Sequence, residues 1–325
     1  MKVGVTSDIR GEDGAPVFDL SLLDEAPDVE WEWVRGEGEL EPADVAAYDA
    51  IVLFHPTVSA RTLVGVERLR LVARLGVGVD NIDVEACTAN GVLVTITPDS
   101  VRRPMASGAM AFVLALAHRL LERDRHVRAG GWERFAHVGT GLAGRTLGII
   151  GIGNVGREVA VLAATFGLSI VTADPYVSDP PPGVEPRTLE ELLGESDVVI
   201  VTCPLTPETH HLLDARRLAS MRPTAYLVNI ARGPIVDGAA LAAALRDGRL
   251  AGAALDVFEQ EPIDPGDPLL GLDNVILCPH AVGLTDEIFG AGGSSVSRAV
   301  LAVAEGRLPE FPLNPDAFAM RSSAT

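Results

Sequence analysis

The stretch from Arg145 to Asp174, RTLGIIGIGNVGREVAVLAATFGLSIVTAD, limits what this chain can fold into more than any other. Thr146 to Ile150 is a short apolar run of the kind a fully buried parallel strand needs. It runs into Gly151-Ile152-Gly153-Asn154-Val155-Gly156, which opens a helical segment from Arg157 to Phe166. Gly167 closes that helix, and Leu168 to Thr172 reads as a second strand with Asp174 just beyond it. Each glycine has a mechanical role. Gly151 makes the tight turn, Gly153 lets a pyrophosphate approach closely, and Gly156 lets helix pack close on strand. The helix then aims free N–H groups and its positive dipole end at an anion. A carboxylate at Asp174 can accept both hydroxyls of a ribose. Strand, glycines, helix, strand and acid arrive in the order that dinucleotide binding requires.

The rest of the composition narrows the options. A chain of 325 residues is long enough for two domains and a large core. The formal net charge of -19 argues against nucleic acid or an anionic membrane surface as partner, because both want a basic face. No run approaches the ~18 apolar residues of a membrane span. MKVGVTSDIR enters a strand-like run at once and lacks a signal-peptide pattern. Cys87, Cys203 and Cys278 lack metal-ligand spacing, so reduced thiols in a cytoplasm are expected and no metal is. Lysine occurs only at Lys2, which removes a Walker loop and a Schiff-base lysine and leaves arginine as the cation of any site.

Along the first hundred residues strand-like and helix-like pieces alternate. Val3–Thr6, Glu30–Val34, Ala50–Phe54, Leu71–Leu75 and Val92–Ile96 read as strands; Ala43–Tyr48, Ala60–Arg68 and Val84–Asn90 as short helices or turns. Such alternation predicts a parallel sheet with helices on its faces. Arg74 to Asp83, RLGVGVDNID, is a tight strand-to-helix turn or a nest of N–H groups for a small anion, and the residues alone favour the turn. A long apolar helix is expected from Met105 to Leu121, followed by a polar connector from Glu122 to Gly144. Arg102 and Arg103 read as solvated charges in preference to substrate contacts. Beyond Asp174, helices are expected at Thr188–Leu193, Glu208–Met221 and Asp237–Asp247, and strands at Asp197–Thr202, Ala225–Ile230, Ala251–Asp256 and Val275–Cys278. Adjacent His210 and His211 are expected to point to different faces, a poor metal pair.

Three strand ends then carry Arg232, Glu261 and His280, and ligands of open α/β sheets gather at the carboxyl ends of strands. Hydride transfer to a carbonyl needs a grip on the substrate's carboxylate and a proton for the developing alkoxide. Arginine supplies a planar fork for the first, histidine the second, and a carboxylate beside the histidine favours the imidazolium. Each residue also has a plain reading: a surface ion pair, one acid among many, a satisfied strand-end histidine. Spacing alone does not choose between them.

Several motifs together do choose. ARLGVGVDNID (Ala73–Asp83), TLGIIGIGNVGREVA (Thr146–Ala160), CPLTPET (Cys203–Thr209), NIARGPIVD (Asn229–Asp237), AGAALDVFEQEP (Ala251–Pro262) and NVILCPHAVGLT (Asn274–Thr285) occur in order. With them the chain resembles the D-isomer-specific 2-hydroxyacid dehydrogenases, the group of D-3-phosphoglycerate dehydrogenase, D-lactate dehydrogenase and hydroxypyruvate/glyoxylate reductases. The resemblance implies two Rossmann-like α/β domains with doubly wound parallel sheets. A flavodoxin-like substrate domain would be made of residues 1–101 and 285–325, with an NAD-binding domain, 102–284, inserted. It implies a helix after Thr285 and a return of Leu308–Pro315 to the first domain. It carries over Arg232 as clamp on carboxylate and carbonyl, Glu261 as partner acid, and His280 as proton donor. Val77 and Gly78 become backbone contacts to the carboxylate, reversing the preference above, with Arg74 beside them. Gly151, Gly153, Asn154, Val155, Gly156, Asp174, Cys203, Pro204, Thr209, Ala231, Asp256, His280, Gly283 and Met105 would line the cofactor. A homodimer through the dinucleotide domains is implied, which suits the helix after Pro104.

Two departures stand near the expected nicotinamide pocket: Met105-Ala106-Ser107 where the family often has Val-Ala-Glu, and Ala281-Val282-Gly283 where it often has Ile-Ala/Gly-Gly. They bear on which acid is handled. Asp174 followed by Pro175-Tyr176, with no arginine adjacent, favours NAD over NADP. Other readings are an NAD(H)-sensing corepressor-like scaffold and a formate- or phosphite-oxidising relative. Formate enzymes carry Gln at the acid position, and counting from Asp256 puts Glu261 there, not Gln260.

Overall fold

The structure is a computed structural model that describes residues 1–322 of the chain. It divides into two compact units, one of Met1–Val101 with the chain from Leu284 onward, the other of Arg102–Gly283.

In the first unit, β1 (Lys2–Thr6), β2 (Glu30–Val34), β3 (Ala50–Leu53), β4 (Leu71–Arg74) and β5 (Leu93–Thr95) form an all-parallel sheet in the order β2-β1-β3-β4-β5. That is the flavodoxin-like order. Successive residues of β3 and β4 serve opposite faces, the period-2 rule of a strand buried on both sides. Ala50, Val52, Leu71 and Ala73 pack in one core with Val296, Val300 and Val303 of the helix Asp286–Ala304. Ile51, Leu53 and Val72 pack in the other. Asn314 completes the sheet edge: its Oδ1 accepts from the Val94 N–H at 2.7 Å, and its amide donates to the Val92 carbonyl at 2.9 Å.

The second unit contains β6 (Thr146–Ile150), β7 (Ser169–Ala173), β8 (Val184–Pro186), β9 (Val198–Val201), β10 (Tyr226–Asn229), β11 (Gly252–Leu255) and β12 (Val275–Leu277). All pair in parallel, in the order β12-β11-β10-β9-β6-β7-β8. The chain winds outward from β6 through β7 and β8, then returns to β6's other side with β9. The direction of winding therefore reverses between β6 and β9, where side-by-side loops diverge and leave a crevice. Val198 and Ile200 serve one core, Val199 and Val201 the other.

Several local expectations are corrected. The apolar helix begins at Pro98, runs through Pro104, and ends at Ala117; Arg119 then takes a left-handed φ of 50°. It ends there because the Thr140 N–H takes the Ala117 carbonyl at 2.7 Å. A second helix, Leu120–Arg128, occupies part of the predicted connector. Glu208–Met221 is not one helix; only Ala215–Ser220 is, capped by Asp214, whose carboxylate accepts from the Arg217 N–H. The preceding residues are diverted by a left-handed His211 and by a parallel bridge of Leu213 to Val236. The strand β8 has no counterpart among the expected elements: in Val184–Pro186 only Val184 is buried, too little for an alternation signal. Among the described residues no single helix is long and apolar enough to cross a membrane; Pro98–Ala117 and Leu120–Arg128 pass that test only jointly, bent by 58°.

Candidate active site

The glycine turn sits at the C-terminal end of β6, beside the reversal point. Gly151 has φ 90°, in the left-handed region, and a Cβ there would lie 2.8 Å from the Cys203 backbone. A Cβ on Gly156 would lie 2.4 Å from the Gly151 carbonyl, which also accepts from Thr202 Oγ1 at 2.6 Å. Both positions therefore admit only glycine without displacing backbone. Gly153 differs: a Cβ would meet nothing within 4 Å, so the space over it is open. It is the N-cap of the helix Asn154–Ala164, and no side chain caps that helix. The first-turn N–H groups of Asn154 and Val155 are left for an anion.

Asp174 follows β7. Its Oδ2 accepts from the Ile152 N–H at 2.8 Å and its Oδ1 from the Tyr176 N–H at 3.0 Å, which fixes the carboxylate at the rim of the turn. This arrangement fits a dinucleotide: a tight glycine turn, an uncapped helix start, open space over Gly153, and an acid beside them. Cys203 is half-buried here, and burial together with the Asp174 charge pushes its thiol up to about 11, so it is a neutral wall. Thr209 staples its own loop, donating to the Pro204 carbonyl at 2.8 Å and accepting from the Thr206 N–H at 2.7 Å.

The second group lies at the ends of β10, β11 and β12 in the same sheet. His280 Nδ1 lies 2.8 Å from Glu261 Oε2, and the Phe258 N–H donates to Glu261 Oε1 at 3.0 Å. Burial disfavours an ionised Glu261, but the hydrogen bonds from His280 and the Phe258 N–H, and the charges of His280 and Arg232, outweigh it and hold the carboxyl below its ordinary value. Glu261 is thus a carboxylate, which only accepts, so Nδ1 carries the proton of this contact. His280 has a left-handed φ of 53°, a conformation a non-glycine residue adopts only when its surroundings impose it.

Asp256, 1% exposed, imposes it: its Oδ1 accepts from Ala281 and Val282 N–H at 2.8 and 2.9 Å. Burial raises the Asp256 pKa, against those hydrogen bonds. Gly283 is pressed on the helix Pro98–Ala117, where a Cβ would lie 2.4 Å from Met105 Sδ.

Arg232 is half-buried, and its loop is framed by a residue the motif reading passed over. Asn229, 1% exposed, accepts from the Ala231 N–H at 3.1 Å and donates to the Arg232 carbonyl at 2.9 Å. An asparagine at a strand end with both backbone partners inside its own turn was the available signal.

Other predicted residues lie elsewhere. Arg103 and Arg102 approach Glu158 at 2.6 and 3.8 Å on the helix Asn154–Ala164. In the first unit, Arg74 Nε donates to the Gly78 carbonyl at 3.0 Å, and the guanidinium lies 5.3 Å from the Phe54 ring centre. Val77, 42% exposed, and Gly78 occupy the turn after β4 that Arg74 braces. His210 and His211 do not point apart as expected; their rings stack at 4.2 Å, because the left-handed backbone at His211 turns the second ring back onto the first. Among the described residues no cluster of His, Cys, Asp or Glu could hold a metal ion.

Residues 110–282 match the model of the D-isomer specific 2-hydroxyacid dehydrogenase, NAD binding domain. The chain is 42% identical over 281 residues to a glyoxylate reductase of Korarchaeum cryptofilum, covering 84% of this chain and 85% of that protein. The chain belongs to the D-isomer-specific 2-hydroxyacid dehydrogenase family. It is an NAD(P)-dependent oxidoreductase. Among solved structures, the TT0316 protein of Thermus thermophilus superposes with a TM-score of 0.86 at 36% identity, covering 96% of this chain and 100% of the other. A D-lactate dehydrogenase of Aquifex aeolicus complexed with NAD and lactic acid gives 0.81 at 28% identity, covering 94% and 96%.

Proposed function

We propose that this dehydrogenase interconverts a small D-2-hydroxy acid and its 2-oxo acid with NAD, using His280 as acid/base, Glu261 as its partner and Arg232 as the clamp. The observation that carries the reading is the 2.8 Å contact of His280 Nδ1 with Glu261 Oε2 at the strand ends of the glycine-motif sheet. Gly151, Gly153, Asn154, Val155 and Asp174 would hold the dinucleotide, which when bound supplies or accepts the hydride. With Nδ1 committed to Glu261, Nε2 of His280 is the nitrogen that gives a proton to the alkoxide oxygen in reduction and removes it in oxidation. Glu261 offsets the charge of the imidazolium while it persists. The guanidinium of Arg232 holds carboxylate and carbonyl oxygens in one plane and withdraws electrons from the carbonyl carbon. The carboxylate of Asp174 supports NAD over NADP, since a 2′-phosphate would meet its charge.

Glu261, not Gln260, bonds His280, which favours a hydroxyacid over a formate reading. A cofactor-sensing scaffold would need neither that pair nor the clamp. A homodimer is supported by the exposed apolar residues Leu120, Val127, Trp132, Phe135 and Val138. Three free thiols suit a cytoplasm.

The test is NADH and NADPH oxidation over glyoxylate, hydroxypyruvate, pyruvate and 2-oxoglutarate. Turnover with at least one acid, faster with NADH, is expected. Inactivity with every acid while NADH binds would sink the proposal. Removing the imidazole in His280→Ala should cost ~10²-fold or more in kcat.

A further inference from the structure

We infer that Glu259, held by His211, is a positioning residue for the Glu261–His280 pair; the inference rests on that pair being the acid/base unit proposed above. Glu259 reaches into the neighbouring loops. Its Oε1 accepts from the Gly238 N–H at 2.7 Å, and its Oε2 lies 3.0 Å from His211 Nε2. One carboxylate thereby ties together the loops that follow β9, β10 and β11.

The backbone beneath it leaves no slack. A Cβ on Gly233 would fall 1.9 Å from the Phe258 carbonyl group, so the arginine loop and the Phe258–Glu259 peptide lie in direct contact. His211, at φ 49°, is anchored by its own N–H to the Pro234 carbonyl at 2.8 Å. A left-handed histidine whose ring reaches a carboxylate on another loop is a local cost that the surrounding packing sustains, and such costs cluster where geometry matters.

The Phe258 N–H that donates to Glu261 Oε1 belongs to the residue just before Glu259. Fixing Glu259 therefore fixes the short loop around it, including the Phe258 N–H that orients Glu261. Gly238 also begins the helix Gly238–Arg246, whose positive end favours the Glu259 charge. Neither Glu259 nor His211 touches the reacting groups, so each acts through Glu261.

The test is a double-mutant cycle in the full-length enzyme, with Glu259→Ala, Glu261→Gln and the combination. NADH affinity from fluorescence, thermal midpoint, and kcat and KM for the best oxo acid are read together. Glu259→Ala is expected to lower kcat roughly tenfold, the scale of a modest misplacement of a catalytic group. NADH affinity should stay within about twofold. Glu259→Gln, which keeps an acceptor for the Gly238 N–H and presents its amide N–H to His211 Nε2, should recover most of the rate. In the Glu261→Gln background, Glu259→Ala should lower kcat no further, because the residue through which it acts is already disabled.

Equal losses in both backgrounds would mean a purely structural role and overturn the inference, as would an unchanged kcat in Glu259→Ala while Glu261→Gln is impaired. If Glu261→Gln itself is fully active, the acid/base reading fails and takes this one with it. Should Glu259→Ala not fold, His211→Asn serves: asparagine tolerates the left-handed backbone but is too short to reach Glu259. It should show a smaller loss with the same dependence on Glu261; independence from Glu261 would again overturn the inference.

Discussion

The backbone N–H of His280 donates to the carbonyl of Asp256 at 2.8 Å, while the Asp256 carboxylate receives the N–H groups of Ala281 and Val282. One buried residue thus grips the histidine's segment on both sides and holds its left-handed backbone. Asp256→Ala would strand two donors, and a loss of about 2 kcal/mol in unfolding free energy is expected, with a fall in kcat. Asp256→Asn keeps an acceptor and removes a charge that burial already disfavours, so it should cost less than about 1 kcal/mol. Denaturant unfolding of both variants checks the order.

Glu261 gives a pH signature. Its carboxyl is held below the ordinary 4.5, so its contribution to stability is fully present above that value and is lost as pH falls through the lower native value. As pH falls, the difference in thermal midpoint between wild type and Glu261→Gln should persist past 4.5 before it closes. Closure already above 4.5 would contradict the assignment.

Gly151 is held at φ 90° against the Cys203 backbone. Gly151→Ala must adopt a conformation costing about 1–2 kcal/mol and push a neighbouring strand end aside. NADH affinity measured by fluorescence should weaken by at least about tenfold, with the substrate-side residues unaffected. Undiminished binding would remove the turn from the cofactor site.

Asp174→Ala should weaken NADH binding and raise relative use of NADPH by about tenfold, since one hydrogen-bond acceptor is lost and one repulsive charge removed. Steady-state kinetics with the two cofactors gives the ratio. A preference that does not move places cofactor choice elsewhere.

Trp132 and Phe135 are 74% and 88% exposed in the isolated chain. The homodimer proposed above would bury these aromatic groups. The double change Trp132→Ser/Phe135→Ser should shift a dimer toward monomer in light scattering, and an unaltered mass would exclude this surface.

The dinucleotide unit was legible because its signals are local. A buried parallel strand must be a short apolar run, and only glycine satisfies Gly151 and Gly156, so strand, turn and helix announce themselves within a few residues. The same locality placed the starts of the helices expected at Thr188, Asp237 and Val84 within a residue. Glu208–Met221 departs from the predicted helix for the converse reason. Its helical composition is overridden by His211 and the bridge from Leu213 to Val236, both dictated by a loop more than twenty positions away.

Sequence alone determined most of the order of strands and helices and the glycine turn with its acid, because residue type and spacing are written along the chain; it offered Arg232, Glu261 and His280 at strand ends, but their spacing did not choose between readings. Tertiary structure alone decided which of two nearby acids meets His280, how Asp256 bends the histidine's backbone, and that Glu259 turns toward His211. Those outcomes depend on which loops parallel pairing of β9 to β12 brings side by side, and partners so far apart leave no periodic trace in the sequence.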